Sequence, residues 1–142
     1  MSVQDRDKAP ILPVARSLAG LGFRLVATEG TAAFLRKEGL TVDGLKKIKE
    51  GSPNATDYLR ESKIDLIINT PSGERPRQDE IVIRSLAVSR GVPCVTTIQG
   101  AVASVQGLEA MRKADLPIAS LQTLHQQLKS RAVDSKPMAV RS

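Results

Sequence analysis

A chain of 142 residues has room for one domain of ordinary size, and an apolar fraction of 41% is enough to bury a single core. With no Trp, two Phe and one Tyr, that core must be built from Leu, Ile, Val and Ala, while one Cys and one His exclude an internal disulfide and a Cys/His zinc cluster. Half of the formal charge of +6 sits after residue 128, in Lys129, Arg131, Lys136 and Arg141 against Asp134, so the remainder is only mildly basic, which argues against a nucleic-acid groove.

Apolar residues recur at helical spacing from Lys8 to Leu21, and Gly20 and Gly22 end the pattern, predicting a first helix. Phe23 to Ala27 predicts a strand that runs into Thr28-Glu29-Gly30-Thr31, followed by a helix from Ala32 to Glu38 stopped by Gly39. A weaker strand is expected between Leu45 and Lys49, then the loop Gly51-Ser52-Pro53-Asn54 and a short helix from Ala55 to Ser62. Ile64 to Asn69 is the clearest buried strand, ended by Thr70-Pro71-Ser72-Gly73. The next helix, Gln78 to Arg90, is expected to turn Ile81, Val82, Leu86, Ala87 and Val88 inward. Val92 to Thr96 makes a further strand, Gly100 to Lys113 and Leu121 to Leu128 make the last helices, and residues 129–142 read as a disordered tail after a domain spanning 1–128.

Strands alternating with helices require a parallel sheet covered on both faces, so the predicted class is α/β, doubly wound and Rossmann-like. Only Ser2-Val3 lead into the first helix, so the opening strand is either very short or continues upstream. No run approaches the length of a membrane span and no signal-peptide pattern opens the chain, so a cytoplasmic protein without membrane contact is expected.

Ligands of doubly wound sheets sit beyond the carboxyl ends of the strands. Thr28, Gly30 and Thr31 end a strand and open a helix there, offering hydroxyls and backbone N–H groups where the helix dipole favours an anion. Lys8 and Lys47 would neutralise a phosphate from either side, and Asn69, Thr70 and Ser72 offer groups suited to a ribose or a base edge. The same residues serve equally well as plain caps, turns and solvated charges, and the residues alone leave both readings open. Candidate catalytic groups fare worse. Cys94 lies in an apolar strand as an inert thiol, His125 is remote from the phosphate loop, and Asp57, Asp65 and Asp79 form no acid–base pair.

Taken together, Lys8, Ala27-Thr28-Glu29-Gly30-Thr31, Lys47-Ile48-Lys49-Glu50-Gly51-Ser52-Pro53, Ile67-Ile68-Asn69-Thr70-Pro71-Ser72-Gly73, Val82-Ile83-Arg84 and Val95-Thr96-Thr97 resemble the methylglyoxal-synthase-like domain, in its form at the C-terminus of the carbamoyl-phosphate synthetase large chain. The resemblance covers roughly residues 2 to 128. It implies a five-stranded parallel sheet whose pocket binds UMP, or IMP at an overlapping site, with no cofactor and no chemistry in the domain itself. The implied parent is a glutamine-hydrolysing, ATP- and Mg- or Mn-dependent ligase that makes carbamoyl phosphate for pyrimidine and arginine synthesis. Its synthetase domains and glutaminase small subunit are the implied partners, together with homo-oligomers of the parent.

By position, Lys8, Thr28, Thr31 and Lys47 look like the family's phosphate and ribose contacts, Asn69 and Thr70 like its loop contact, and Asp79 and Val82 like the residues lining the base side. Pro71 departs from relatives that carry another hydroxyl there. Enzymatic members need a carboxylate in a Gly-Gly-Asp loop, where this chain reads Gly51-Ser52-Pro53-Asn54. A phosphate-eliminating lyase, and an assembly module with a vestigial pocket, are the alternatives.

Overall fold

A computed structural model describes residues 1–71, 73 and 77–114. Contacts divide the chain into two units, Met1–Ala110 and Met111–Ser142, and only residues 111–114 of the second are described. The expected helix Leu121 to Leu128, the tail and His125 lie outside the described residues, as do Ser72 and Arg75.

The elements in chain order are α1 (Lys8–Gly20), β1 (Leu25–Thr28), α2 (Glu29–Lys37), β2 (Val42–Leu45), α3 (Ala55–Arg60), β3 (Ile67–Ile68), α4 (Gln78–Ser89), β4 (Cys94–Val95) and α5 (Ile98–Lys113). Short 3-10 turns, Asp5–Asp7 and Ile48–Glu50, precede α1 and follow β2. The alternation is α/β as expected, but hydrogen bonding gives two two-stranded parallel sheets, β1 with β2 and β3 with β4, rather than one sheet.

The N-terminal segment lies against both pairs. The Met1 amine donates to Val26 O at 2.5 Å, and Thr28 N donates to Met1 O at 3.0 Å. On its other side Ser2 N donates to Ile68 O at 2.9 Å, and Thr70 N donates to Ser2 O at 3.0 Å. These bonds have the slanted, two-residue repeat of a parallel ladder. Two threonine hydroxyls extend the clasp, Thr31 Oγ1 accepting from Val3 N at 3.2 Å and Thr70 Oγ1 from Gln4 N at 3.1 Å.

Ile67 and Ile68 point to opposite faces, as neighbours on a strand must. Ile68 belongs to a core with Ile11, Val14 and Leu18 of α1, Leu25 and Ala27 of β1, Leu35 of α2 and Val105 of α5. Ile67 joins a smaller cluster with Leu59 of α3 and Ala87 of α4, flanked by Ile64, Ile83, Leu86 and Cys94.

The expected strand Phe23 to Ala27 is β1 at Leu25–Thr28, the helix expected from Ala32 is α2 and already begins at Glu29, and two further expectations need correction. The strand placed at Leu45 to Lys49 is β2 at Val42–Leu45, with Ile48–Glu50 in a 3-10 turn. Gly44 hid it: a Cβ there would collide with the Glu29 carboxylate, which pairs with Arg36 at 3.0 Å across the strand. In α4 the buried face is Ile83, Leu86 and Ala87, while Ile81 and Val82 are 49% exposed and Val88 is 73% exposed. The three-to-four-residue spacing permits both stripes, and the smaller Ala87 lets the helix approach β3.

Local chemistry starts α3 firmly. Asn54 Oδ1 accepts from Thr56 N at 2.9 Å and from Thr56 Oγ1 at 2.6 Å, while Asp57 Oδ2 returns a bond to Asn54 N at 3.0 Å. This is a reciprocal cap, and Asn54 is buried within it. Asn54→Ala should cost about 1–2 kcal/mol, read as a lower urea midpoint with an unchanged slope.

The enclosed Met1 amine has its pKa lowered from 8.0 to about 6, because burial disfavours the charged form. With a free amine at Met1, the penalty is full below about pH 6 and vanishes as pH rises to about 8, so stability should increase across that window. The gain is about 2–3 kcal/mol, and acetylating the amine should flatten the pH profile of urea unfolding.

Candidate functional site

The cradle expected after β1 begins with Thr28, which precedes α2 without its side chain capping the helix. Its hydroxyl instead lies 3.3 Å from Ser2 Oγ and 3.5 Å from Thr31 Oγ1. The first-turn N–H groups of α2 are therefore left uncapped by a side chain, at the positive end of the helix dipole. Gly30 stands exposed in that turn, and a Cβ added to it would meet Lys8 Nζ at 3.8 Å. The Lys8 ammonium thus faces the opening of α2.

Lys8 pairs with Asp5 Oδ1 at 2.7 Å, across a surface where the Asp5 side chain is 94% exposed. The hydrogen bond from Lys8, with its charge, lowers the Asp5 pKa. An ion pair this exposed contributes little to stability, so an anion of higher charge can displace the carboxylate.

Thr28, Lys47, Asn69 and Asp79 line one cavity of about 260 Å³, together with Ser2 and Arg77. They come from the ends of β1, β2 and β3 and from the start of α4, so the fold brings together groups that the sequence scatters. Lys47 is exposed, and its N–H is bonded to Glu50 Oε2 at 3.2 Å. Asn69 is buried, its backbone N–H donating to Val95 O at 2.9 Å.

Other expected residues stand differently. Thr31 is 1% exposed and its oxygen accepts from Val3 N, so it braces the cradle from below. Thr70 is also buried and lines a second cavity of about 730 Å³ with Gln4, Arg6, Thr96 and Thr97. Val82 projects from the exposed face of α4. Sequence reasoning passes over Ser2, and it reads Arg77, in a series with Arg75, Arg84 and Arg90 that could bind acidic partners, as part of a solvated helix face rather than as a residue of this cavity. Ser2 belongs to a segment too short to read as a strand, and Arg77 was indistinguishable from the other arginines near α4.

The loop before α3 holds its polar groups in structural bonds. The Asn54 amide donates to Gly51 O at 3.0 Å, and the Asp57 carboxylate accepts from Ser52 Oγ at 2.7 Å. The Ser52 hydroxyl, then the Asn54 N–H, push the Asp57 pKa down, which holds it as a weak base. Burial raises the pKa of the Cys94 thiol, which keeps the nucleophilic thiolate scarce. Among the described residues no group of three His, Cys, Asp or Glu is placed to hold a metal ion, and no helix is long and apolar enough to cross a membrane.

Residues 10–96 match the family model described as the MGS-like domain, a span that includes Thr28, Lys47, Asn69 and Asp79 and begins just after Lys8. The chain belongs to the MGS-like domain family. Among its relatives, the carbamoyl phosphate synthase large chain, C-terminal section, of Methanopyrus kandleri is 46% identical over 88% of this chain and 23% of its own length. The carbamoyl phosphate synthase large chain of Mycobacterium tuberculosis is 46% identical over 88% of this chain and 12% of its own length, and that of Acidobacterium capsulatum 44% identical over 87% and 11%. The MGS-like domain thus spans between about a tenth and a quarter of these relatives. A crystal structure of methylglyoxal synthase from Elizabethkingia anophelis NUHP1 superposes with a TM-score of 0.60 over 73% of each chain at 16% identity, a likeness of fold.

Proposed function

We propose that this MGS-like domain is the effector-binding regulatory domain of a carbamoyl-phosphate synthase large chain, taking UMP or IMP and carrying out no chemistry itself. The observation that carries the reading is the Lys8 ammonium held over the uncapped opening of α2 at Gly30. The effector phosphate would bond there to the α2 amides, Thr28 and Lys8, with Thr31 beneath them and Lys47 closing the far side. Asn69 and Asp79 would meet the ribose and base. The parent would be a glutamine-hydrolysing, ATP-dependent ligase of the cytoplasm, joined to a glutaminase subunit and feeding pyrimidine and arginine synthesis. We also propose that the two sheets and Met1–Val3 form one five-stranded sheet in the order β2-β1-N-terminal segment-β3-β4, which places the cradle beside the central strand.

Regulation requires the nucleotide to bind two states of the parent with different affinity, and about 1–3 kcal/mol is typical of allosteric coupling in general. Calorimetric titration with UMP and with IMP tests the reading, and absence of heat from both would sink it. Gly30→Ala separates binding from folding. A methyl at that point has room against Lys8, so the helix should hold or gain up to about 1 kcal/mol, yet it would stand where the phosphate must approach the amides. Binding should fall at least about tenfold, equivalent to about 1.4 kcal/mol. The capped and hydrogen-bonded Asn54 and Asp57 argue against a lyase. Methylglyoxal formed from dihydroxyacetone phosphate by the purified chain would reverse that judgement.

A further inference from the structure

The first residue of α2 is a glutamate, Glu29, next to the exposed Gly30 that the Lys8 ammonium faces. A carboxylate at that place is attracted to the positive end of its own helix. It is therefore a tethered rival for any anion that the opening of α2 could hold. The structure draws it away. Glu29 Oε1 accepts from Arg36 Nη1 at 3.0 Å, and Arg36 stands about two turns further along the same helix. Arg36 is itself anchored, its Nε donating to Val42 O at 2.8 Å at the start of β2.

The strand register fixes the height of this clasp. Thr28 pairs with Leu45 and Ala27 with Gly44, so Gly44 lies one residue, about 3.3 Å, short of the level at which β1 ends and α2 begins. The Glu29 carboxylate rests against Gly44, and Arg36 Nη2 stands 3.1 Å from where a Cβ of that residue would be. The carboxylate is thus held back along β2, away from the end where Lys8 faces Gly30. Gly44 has no left-handed φ, so room for the carboxylate, and not backbone conformation, is what requires glycine. With Glu29 70% and Arg36 42% exposed, the pair contributes little to stability, which leaves placement of charge as its principal effect.

We propose that Arg36 and Gly44 form a seat for the Glu29 carboxylate that holds it off the opening of α2 and so keeps that opening available to a phosphate. Arg36 is a positioning residue, acting on the anion through Glu29. The inference rests on the effector reading, because it concerns the same phosphate corner. Released from its seat, Glu29 would bring its charge to within about 7 Å of the phosphate, and one unit charge at that distance in water-like surroundings changes affinity by about threefold.

The 142-residue chain is titrated with inorganic phosphate, UMP and IMP by calorimetry at low ionic strength, where surface charges are least screened. Arg36→Gln should weaken binding by about threefold or more. Gly44→Ala, which fills the seat from the strand side and displaces the end of a flexible side chain, should do the same. Glu29→Gln alone should bind at least as tightly as the unaltered chain, and added to either variant it should restore the lost affinity. A merely structural role of Arg36 on Val42 O would not be rescued in this way. Loss that persists in the Arg36→Gln, Glu29→Gln double variant would therefore overturn the proposal. If Arg36→Gln does not fold, as urea unfolding would show, Gly44→Ala with and without Glu29→Gln makes the same comparison. Binding that ignores both Arg36 and Gly44 would remove this inference alone, whereas an unaltered chain that takes up none of the three ligands would remove the effector reading with it.

Discussion

Lys8→Ala is expected to weaken UMP binding by about 10- to 100-fold, the loss typical of removing a charge-assisted hydrogen bond worth roughly 1.5–3 kcal/mol. The ammonium sits where the α2 opening concentrates positive potential, and its present partner Asp5 is an exposed carboxylate that a phosphate dianion can replace. Stability should hardly change, because the Lys8–Asp5 pair is exposed at the carboxylate end. The residual affinity of the variant should also depend less on salt. Unaltered binding in Lys8→Ala, measured by calorimetry, would move the phosphate away from this corner.

Leu35→Ala should destabilise the domain by about 3 kcal/mol, within the range for emptying a leucine site in a rigid core. Leu35 is fully enclosed in the cluster that joins α1, α2, β1 and α5, and the neighbouring helices leave it no route to collapse. By contrast Val88→Ser should stay within about 0.5 kcal/mol, because Val88 is 73% exposed. Urea unfolding of both variants checks the core and the orientation of α4 together. A large loss from Val88→Ser would restore the stripe that periodicity suggested.

Where the sequence was legible, one signal acted alone. Glycines closed α1 and α2, Asn54 opened α3, and the run ending in Ile67-Ile68-Asn69 marked the strand buried on both faces. Reading failed where tertiary contacts decided. Val42-Asp43-Gly44-Leu45 carries two poor strand formers, and only the Glu29–Arg36 pair lying over Gly44 explains why a glycine is needed there. Strand lengths were overestimated because β-branched character does not say where a hydrogen-bond partner ends. β3 is Ile67–Ile68, although the apolar run begins at Ile64. For the site, residue types at strand ends brought Thr28, Lys47, Asn69 and Asp79 to one cavity, but spacing could not tell that Thr31 would turn inward or that Val82 would face out.

The buried hydroxyls of Thr31 and Thr70 grip consecutive amides, those of Val3 and Gln4, from opposite halves of the molecule. Residues 1–4 therefore work like a drawbar: whatever forces Thr28 and Asn69 apart must stretch the short piece of backbone coupled to both. That coupling is carried by four hydrogen bonds to Met1 and Ser2 and two to the threonines.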